Sequence, residues 1–359
     1  MIINIIPTIK GGGAEIIVRE LHNIYLNKNL DAFTIYFTGD TESLKKNEIL
    51  LDLNYKNPLI ILYLRKVIKK ILRKTNSNKR VIIHAHLTWA FFFTVLAVVG
   101  LKNIKLFYTE HDTSNRRRKI FFFKIIDSFF YDFYSGVICI SRGVHQSLVK
   151  WVGHNIKKRL VIIPNGSRIF NPIIRAPLTN RLPRLISIGT LNSKKNFSTS
   201  IAAIAKLKDT IENYTILGEG PERKKLEKII KNLKLEKKVT LIGWSDNIKQ
   251  YLYKSDIQLI PSLFEGFGLV AVEGMSTGLP IVASNVDGLL EVLGRSNPSV
   301  TLINKVESIE EWEKGINKAI KNIKILGNTK ISRLSNQQAK KFTFKKMAKH
   351  YLKIYNKFN

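Results

Sequence analysis

Two glutamates eight positions apart, Glu265 and Glu273, sit in the run Pro261-Ser262-Leu263-Phe264-Glu265-Gly266-Phe267-Gly268-Leu269-Val270-Ala271-Val272-Glu273-Gly274. A buried strand ending near Pro261 enters a glycine-containing turn, and a helix starts near Phe267 or Gly268. Glu265 therefore precedes the helix and Glu273 lies about two turns inside it. Gly266 and Gly268 let a ligand approach the backbone, while unpaired amides at a helix start attract an anion. A carboxylate on each side of that anion site accepts hydrogen bonds from two hydroxyl-bearing parts of one ligand. A sugar diphosphate with a ribose at its far end has this shape. Taken singly, each glutamate reads equally well as an ordinary acidic residue, near a helix start or on a solvated helical face.

Other groups add to the pair. Gly11-Gly12-Gly13 follows the first strand and can set the amides of Gly12 and Gly13 against phosphates. The Gly-x-Gly-x-x-Gly spacing of a dinucleotide fingerprint fails at Ile16, and no Gly-x-x-x-x-Gly-Lys-Ser/Thr loop occurs. His84, His86 and His111 end strands in the first half. With no helix-borne histidine pair and no cysteine cluster, they are not expected to hold a metal.

The elements that must position these residues are legible as Ile- and Val-rich runs between stretches of helical period. The runs are 2–6, 32–37, 81–84, 104–109, 137–140 and 160–163, then 184–188, 214–217, 239–242, 257–260, 280–283 and 300–303. Continuous apolar strands of this kind suit parallel sheets covered by helices on both faces. The expectation is an α/β chain of two Rossmann-like doubly wound domains, 1–168 and 184–341, joined by a linker over 169–183 that contains Pro172, Pro177 and Pro183. A terminal helix over 342–359, with Phe344, Met347, Tyr351, Ile354 and Tyr355 on one face, is expected to pack back on the first domain. Ligands in such sheets sit outside the carboxyl ends of the strands, so the expected site is a cleft between the domains.

With these residues in place, the sequence resembles the retaining glycosyltransferases of family four, which have the GT-B fold. Their Glu-x7-Glu signature matches Glu265 to Glu273. Gly11-Gly12-Gly13-Ala14-Glu15, Ile138-Cys139-Ile140-Ser141, Ile163-Pro164-Asn165-Gly166 and Leu217-Gly218-Glu219-Gly220-Pro221 extend the likeness over nearly the whole chain. The resemblance implies that Glu265 binds hydroxyls of a donor sugar and Glu273 the ribose, with Gly266 and the backbone of Phe267, Gly268 and Leu269 at the diphosphate. The family's Gly-Arg-Leu followed by Lys-Asn is here Gly189-Thr190-Leu191 followed by Lys195-Asn196. Lys195 matches the lysine, Thr190 replaces the arginine, and Lys194 is the candidate to compensate. His111 is placed beside the donor sugar and His86 towards the acceptor, with Glu110 and Asp112 as acceptor contacts. Glu265, Lys195 and His111 are the implied catalytic residues.

No Asp-x-Asp signature accompanies them. The implied reaction is metal-independent transfer with retention, needing no cofactor, from a nucleotide-diphosphate sugar. The donor is expected to be a UDP-sugar, with GDP-sugar next. The departing diphosphate helps to deprotonate the acceptor hydroxyl, and protein cations and helix amides stabilise it.

The charge balance is 59 Lys+Arg against 27 Asp+Glu, a net +32. Such a surface attracts polyanions or an anionic bilayer. Basic residues cluster at Arg65, Lys66, Lys69, Lys70, Arg73 and Lys74 and at Arg116-Arg117-Arg118-Lys119, beside apolar segments such as Ile120-Phe121-Phe122-Phe123. This pairing suits a protein lying on an anionic membrane, and the acceptor is expected to be a lipid-linked glycan in surface polysaccharide assembly. The longest nearly apolar run, 90–101, is shorter than the roughly 20 residues that span a bilayer. One cysteine, Cys139, excludes an intrachain disulfide framework. The expected location is the cytoplasmic side of the cell membrane, held peripherally. Nucleic acid is not an expected partner, since no zinc finger, RNP motif or helix-turn-helix signature accompanies the charge. The rival reading is a catalytically weak GT-B-fold binding protein that uses its basic face for anionic lipid or RNA.

Overall fold

The computed structural model describes residues 1–74, 80–113 and 116–358. The chain divides into two compact units, one of Met1–Gly166 with Phe344–Asn359, the other of Ser167–Thr343.

In the first unit, β1 (Ile2–Thr8), α1 (Gly13–Asn27), β2 (Ala32–Thr38) and β3 (Glu48–Leu50) are followed by α2 (Ile60–Lys74), β4 (Val81–His86) and α3 (Thr88–Val98). Then come β5 (Ile104–Glu110), α4 (Phe122–Tyr131), β6 (Gly136–Cys139), α5 (Arg142–Val152) and β7 (Leu160–Ile162). The strands form one parallel sheet in the order β3-β2-β1-β4-β5-β6-β7. Six of the seven match apolar runs in the sequence. The three-residue edge strand β3 is too short to give a period. The chain moves one way across the sheet from β1 to β3 and the other way from β3 to β7. Right-handed crossovers therefore put α1 on one face and α2, α3, α4 and α5 on the opposite face. All six residues of β4 are buried, as a strand covered on both sides requires.

The second unit contains β8 (Arg184–Ile188), α6 (Phe197–Lys206), β9 (Asn213–Leu217), α7 (Arg223–Asn232), β10 (Val239–Gly243) and α8 (Ile248–Lys254). It continues with β11 (Ile257–Ile260), α9 (Leu269–Ser276), β12 (Ile281–Ser284), α10 (Asp287–Leu293), β13 (Val300–Ile303), α11 (Ile309–Leu326) and α12 (Asn328–Ala339). Its parallel sheet runs β10-β9-β8-β11-β12-β13. Core side chains such as Trp312, Phe197, Tyr214 and Leu259 pack on it.

Two boundaries differ from the expected ones. The segment read as a linker, 169–183, belongs to the second unit. Prolines stop it from being helical, but its polar groups are bonded to that unit. Phe170 N donates to Ser276 Oγ at 2.9 Å, and buried Arg175 donates to Leu252 O and Thr277 O at 2.9 and 3.0 Å. Those carbonyls close α8 and α9, where the helix dipole favours a cation. The crossing between units falls at 166/167 and 343/344, side by side. Ser167 N donates to Phe342 O at 2.9 Å, and Ser167 bridges Thr343. The last helix, α13 (Phe344–Lys357), belongs to the first unit and buries Met347, Ala348, Tyr351 and Tyr355. No helix among the described residues is long and apolar enough to cross a membrane.

Candidate active site

In a parallel sheet every strand's carboxyl end lies on one edge, and the order of each sheet here reverses at one point. In the first unit the switch lies between β1 and β4, in the second between β8 and β11. Connections leave such a point in opposite directions and open a crevice for ligand. Gly12 and Gly13 follow β1 and His86 ends β4. Lys194 and Lys195 follow β8, and Glu265 through Leu269 follow β11.

In the second unit the two loops are tied together. Leu263 N donates to Lys194 O at 2.8 Å, and Lys195 Nζ donates to Glu265 Oε2 at 2.6 Å. Asn192 caps the short turn of Ser193–Lys195 by accepting from Lys195 N, which fixes where the lysine leaves the backbone. Its aliphatic stem lies across Gly189, where an added Cβ would stand 3.3 Å from Lys195 Cε. The ammonium has three protons and gives one to Glu265, leaving two for an anion. Gly268 precedes α9 with φ of 89°, a conformation that favours glycine, and no side chain caps the helix start. The amides there are available to an anion.

Glu273 lies at the fifth residue of α9, just over one turn in rather than two, because the helix starts at Leu269. It is 6% exposed. Burial pushes its carboxyl up to about 7, opposed by Arg168, whose Nε is 3.9 Å from Oε1. The sequence reading missed Arg168. Its only signal was a cation two residues past Asn165-Gly166, at the crossing between units.

The first unit's edge differs. His84 and His86 stack with centroids 4.2 Å apart, and His86 Nδ1 is 3.3 Å from His111 Nε2. His84 contacts Thr109 at 2.8 Å and Tyr355 of α13. Burial lowers His84 to about 3 and His111 to about 4, and holds His86 well below its ordinary value. All three are neutral rings at neutral pH. Among the described residues no group of three His, Cys, Asp or Glu side chains that could hold a metal ion is formed.

Two of the candidate acceptor residues at this edge are buried. Glu110 is 3% exposed, and its Oε2 accepts from Arg118 at 2.6 Å and Tyr131 at 2.9 Å. His86 is buried, with its Nδ1 facing His111 Nε2. Asp112 is exposed. The glycine loop sits where expected, with Gly12 preceding α1, but the start of that helix already has an acid. Glu15, in the first turn, accepts from Thr8 Oγ1 at 2.8 Å, and an added Cβ at Gly11 would stand 2.7 Å from its carboxylate. A side chain at Gly11 would make the Glu15 carboxylate shift.

The two parallel-sheet, Rossmann-like units with these sites at their carboxyl edges define a glycosyltransferase of the GT-B class. Residues 11–167 match the model of Glycosyltransferase Family 4 and residues 173–340 that of Glycosyl transferases group 1, and the chain belongs to the glycosyltransferases that carry both domains. It is 23% identical over 316 residues to an uncharacterized 41.2 kDa protein in the cps region of Klebsiella pneumoniae, covering 81% of this chain and 83% of that one. It is 35% identical over 111 residues to the N-acetylgalactosamine-N,N'-diacetylbacillosaminyl-diphospho-undecaprenol 4-alpha-N-acetylgalactosaminyltransferase of Campylobacter jejuni. That match spans 31% of this chain and only 30% of the relative's length. The crystal structure of Anabaena Alr3699/HepE in complex with UDP and glucose shares the fold, with a TM-score of 0.80, 18% identity and 99% of each chain covered.

Proposed function

We propose that this chain transfers a sugar, with retention and without a metal, from a UDP-sugar to a lipid-linked glycan in surface polysaccharide assembly, on the cytoplasmic side of the membrane. The observation that carries the reading is the Lys195–Glu265 pair at the start of α9, with Glu273 one turn into that helix and Arg168 facing it. Glu265 accepts hydroxyls of the donor sugar, and Glu273, when ionised, accepts those of the ribose. Lys195, with Lys194 beside it and the amides of Gly266, Phe267, Gly268 and Leu269, receives the diphosphate. As the glycosidic bond breaks, charge grows on the diphosphate oxygen, and donors already in place stabilise it without rearrangement. That oxygen takes the acceptor hydroxyl's proton on the same face. His111, a neutral ring, hydrogen-bonds the sugar without adding charge, and Asp112 is the acceptor contact. Gly12 and Gly13 approach the phosphates through their backbone.

UDP as the base-bearing half is supported by the UDP complex of the HepE structure, and a lipid-linked acceptor by the diphospho-undecaprenol in the Campylobacter relative's name. The test is UDP release from UDP-sugars with and without an undecaprenyl-diphosphate glycan. Acceptor-dependent release, lost in Glu265→Ala and Lys195→Ala with unchanged thermal unfolding, is expected. Indifference to both substitutions would replace this reading with the binding-protein one.

A further inference from the structure

Helix α4 is built inside out. Its inward side carries Asp127, which accepts from Arg117 Nε at 2.9 Å and Trp151 Nε1 at 2.8 Å. Its outward side carries Phe122, Ile125 and Phe129, at 65%, 62% and 60% exposure. These positions recur at i, i+3 and i+7, one continuous stripe. Phe121, just ahead of the helix, is 75% exposed. A helix on a water-facing surface places charge outward and apolar groups inward, so this stripe is not explained by folding of the unit.

The neighbouring helices extend the face. Phe92 of α3 packs edge-on against Phe130 of α4 at 4.9 Å, and Arg65 of α2 donates to Ala97 O and Val99 O at the end of α3. Helix α2 has the opposite character to α4. It buries Ile60, Leu64, Ile68 and Ile71, and it contains no acidic residue. An open groove of about 590 Å³ runs along it, lined by Leu62 and six Lys and Arg side chains.

Two members of the second basic segment read from the sequence, Arg117 and Arg118, do not join this surface. Arg117 and Arg118 are buried with Asp127 and Glu110, and the side chains of Arg116 and Lys119 lie outside the described residues.

We propose that α2 and α4 form a two-part docking face for a bilayer containing anionic phospholipid. The α2 cations take the lipid phosphates, and the Phe122, Ile125 and Phe129 stripe enters the boundary between headgroups and acyl chains. The inference rests on the reading of a lipid-linked acceptor and says how the chain reaches it. The occupant is argued from charge: a row of cations without a carboxylate on α2, with α3 between it and the exposed apolar stripe of α4, complements a surface that is anionic outside and apolar within.

The test is flotation of the full chain with phosphatidylglycerol/phosphatidylcholine vesicles and with phosphatidylcholine alone, at about 0.05 M and about 0.5 M salt. Wild type is expected to float with the anionic vesicles and to be partly retained at high salt. Lys66→Glu with Lys69→Glu and Lys70→Glu is expected to cost at least about a hundredfold in binding at low salt, since each cation near such a surface is worth about fivefold. Phe122→Ser with Ile125→Ser and Phe129→Ser is expected to remove the salt-resistant part. The proposal is overturned if the α4 variant floats like wild type, if phosphatidylcholine binds as well as the anionic mixture, or if RNA binds in place of vesicles. It is equally overturned if the exposed stripe proves to be covered by a second copy of the chain, seen as a dimer that the α4 variant dissolves. UDP release in detergent solution separates this from the proposed reaction. Flotation without transfer would sink the reaction alone, and transfer without flotation the docking face alone.

Discussion

The two switch points are made from the same parallel-sheet geometry and filled with opposite chemistry. The edge of the second unit carries formal charges, a Lys195–Glu265 contact at 2.6 Å and Arg168 facing Glu273 at 3.9 Å. The edge of the first, besides Glu15 and the exposed Asp112, carries three rings without charge, His84, His86 and His111, each held neutral by burial. A nucleoside diphosphate needs cations and helix amides, whereas a sugar hydroxyl is served by a neutral donor or acceptor. The division teaches that the fold supplies a location, and the side chains at the strand ends decide which part of a substrate is welcome there.

The sharpest way to break the comparison is to remove the charged edge's central cation. Lys195→Ala is expected to lower kcat/KM for the proposed transfer by about 10²–10³, the usual cost of losing one preorganised stabiliser of developing charge. Stability should change little, because Lys195 is partly exposed and Glu265 can then turn to water. UDP-release kinetics beside thermal unfolding check both halves. An unchanged rate would reduce the Lys195–Glu265 pair to a structural contact.

The next effect separates the two glutamates. Burial raises the carboxyl of Glu273 from 4.5 to about 7, so the folded chain prefers the proton. Its burial costs little at pH 4, and the cost grows as pH rises to 7 and is complete above it. Glu273→Gln should therefore unfold like wild type near pH 5 and be more stable at pH 8, by roughly 3 kcal/mol. Donor binding should move the opposite way. The ionised carboxylate accepts both ribose hydroxyls, so affinity for UDP in wild type should strengthen from pH 6 to pH 8 and be flat in the variant. A pH-independent wild type would mean that Glu273 meets no ligand.

The neutral edge predicts a different pH response. The folded values of about 3 for His84 and about 4 for His111 lie below the ordinary 6.5. Depressed values on bases mean that stability is complete above pH 6.5 and is lost as pH falls towards 4. His84 alone should account for roughly 2 kcal/mol at pH 5. Thermal unfolding of wild type at pH 7 and pH 5, compared with His84→Gln, checks this. A variant with the same acid sensitivity would show that the histidines are not its source.

Most of this architecture was legible in the chain. Among the described residues twelve of the thirteen strands come from apolar runs, because a strand buried on both faces leaves that mark without help from distant residues. The Glu265–Glu273 box was legible because glycines and a helix start are local. What failed was long-range. Pro172, Pro177 and Pro183 mark a non-helical segment correctly, but the carbonyls that hold Arg175 are 77 and 102 residues away in sequence. The basic runs 65–74 and 116–119 look alike in composition. Only the fold brings Glu110 from β5 and Asp127 from α4 to Arg118 and Arg117, turning half of one run into an interior ion cluster. A carboxylate at position 127, on the side of α4 opposite the phenylalanines, was the one sequence signal for that inversion.

The smallest expected effect tests whether the charged edge is complete. Thr190 occupies an exposed position next to Gly189, over which the Lys195 stem passes, where the resembling family places an arginine. An arginine there would add a second cation to the loop that follows β8. The site is open to solvent, so the gain is that of an exposed ion pair, under about 1 kcal/mol, or up to about fivefold in affinity for UDP. Thr190→Arg should tighten UDP binding by that amount at low salt, lose the gain as salt rises, and leave thermal unfolding unchanged. A larger and salt-independent gain would mean that the native edge lacks a buried contact, and that Lys195 and Lys194 together do not neutralise the diphosphate. No gain at any salt would place the diphosphate nearer the start of α9 than the loop after β8, leaving the amides of that helix as its main support.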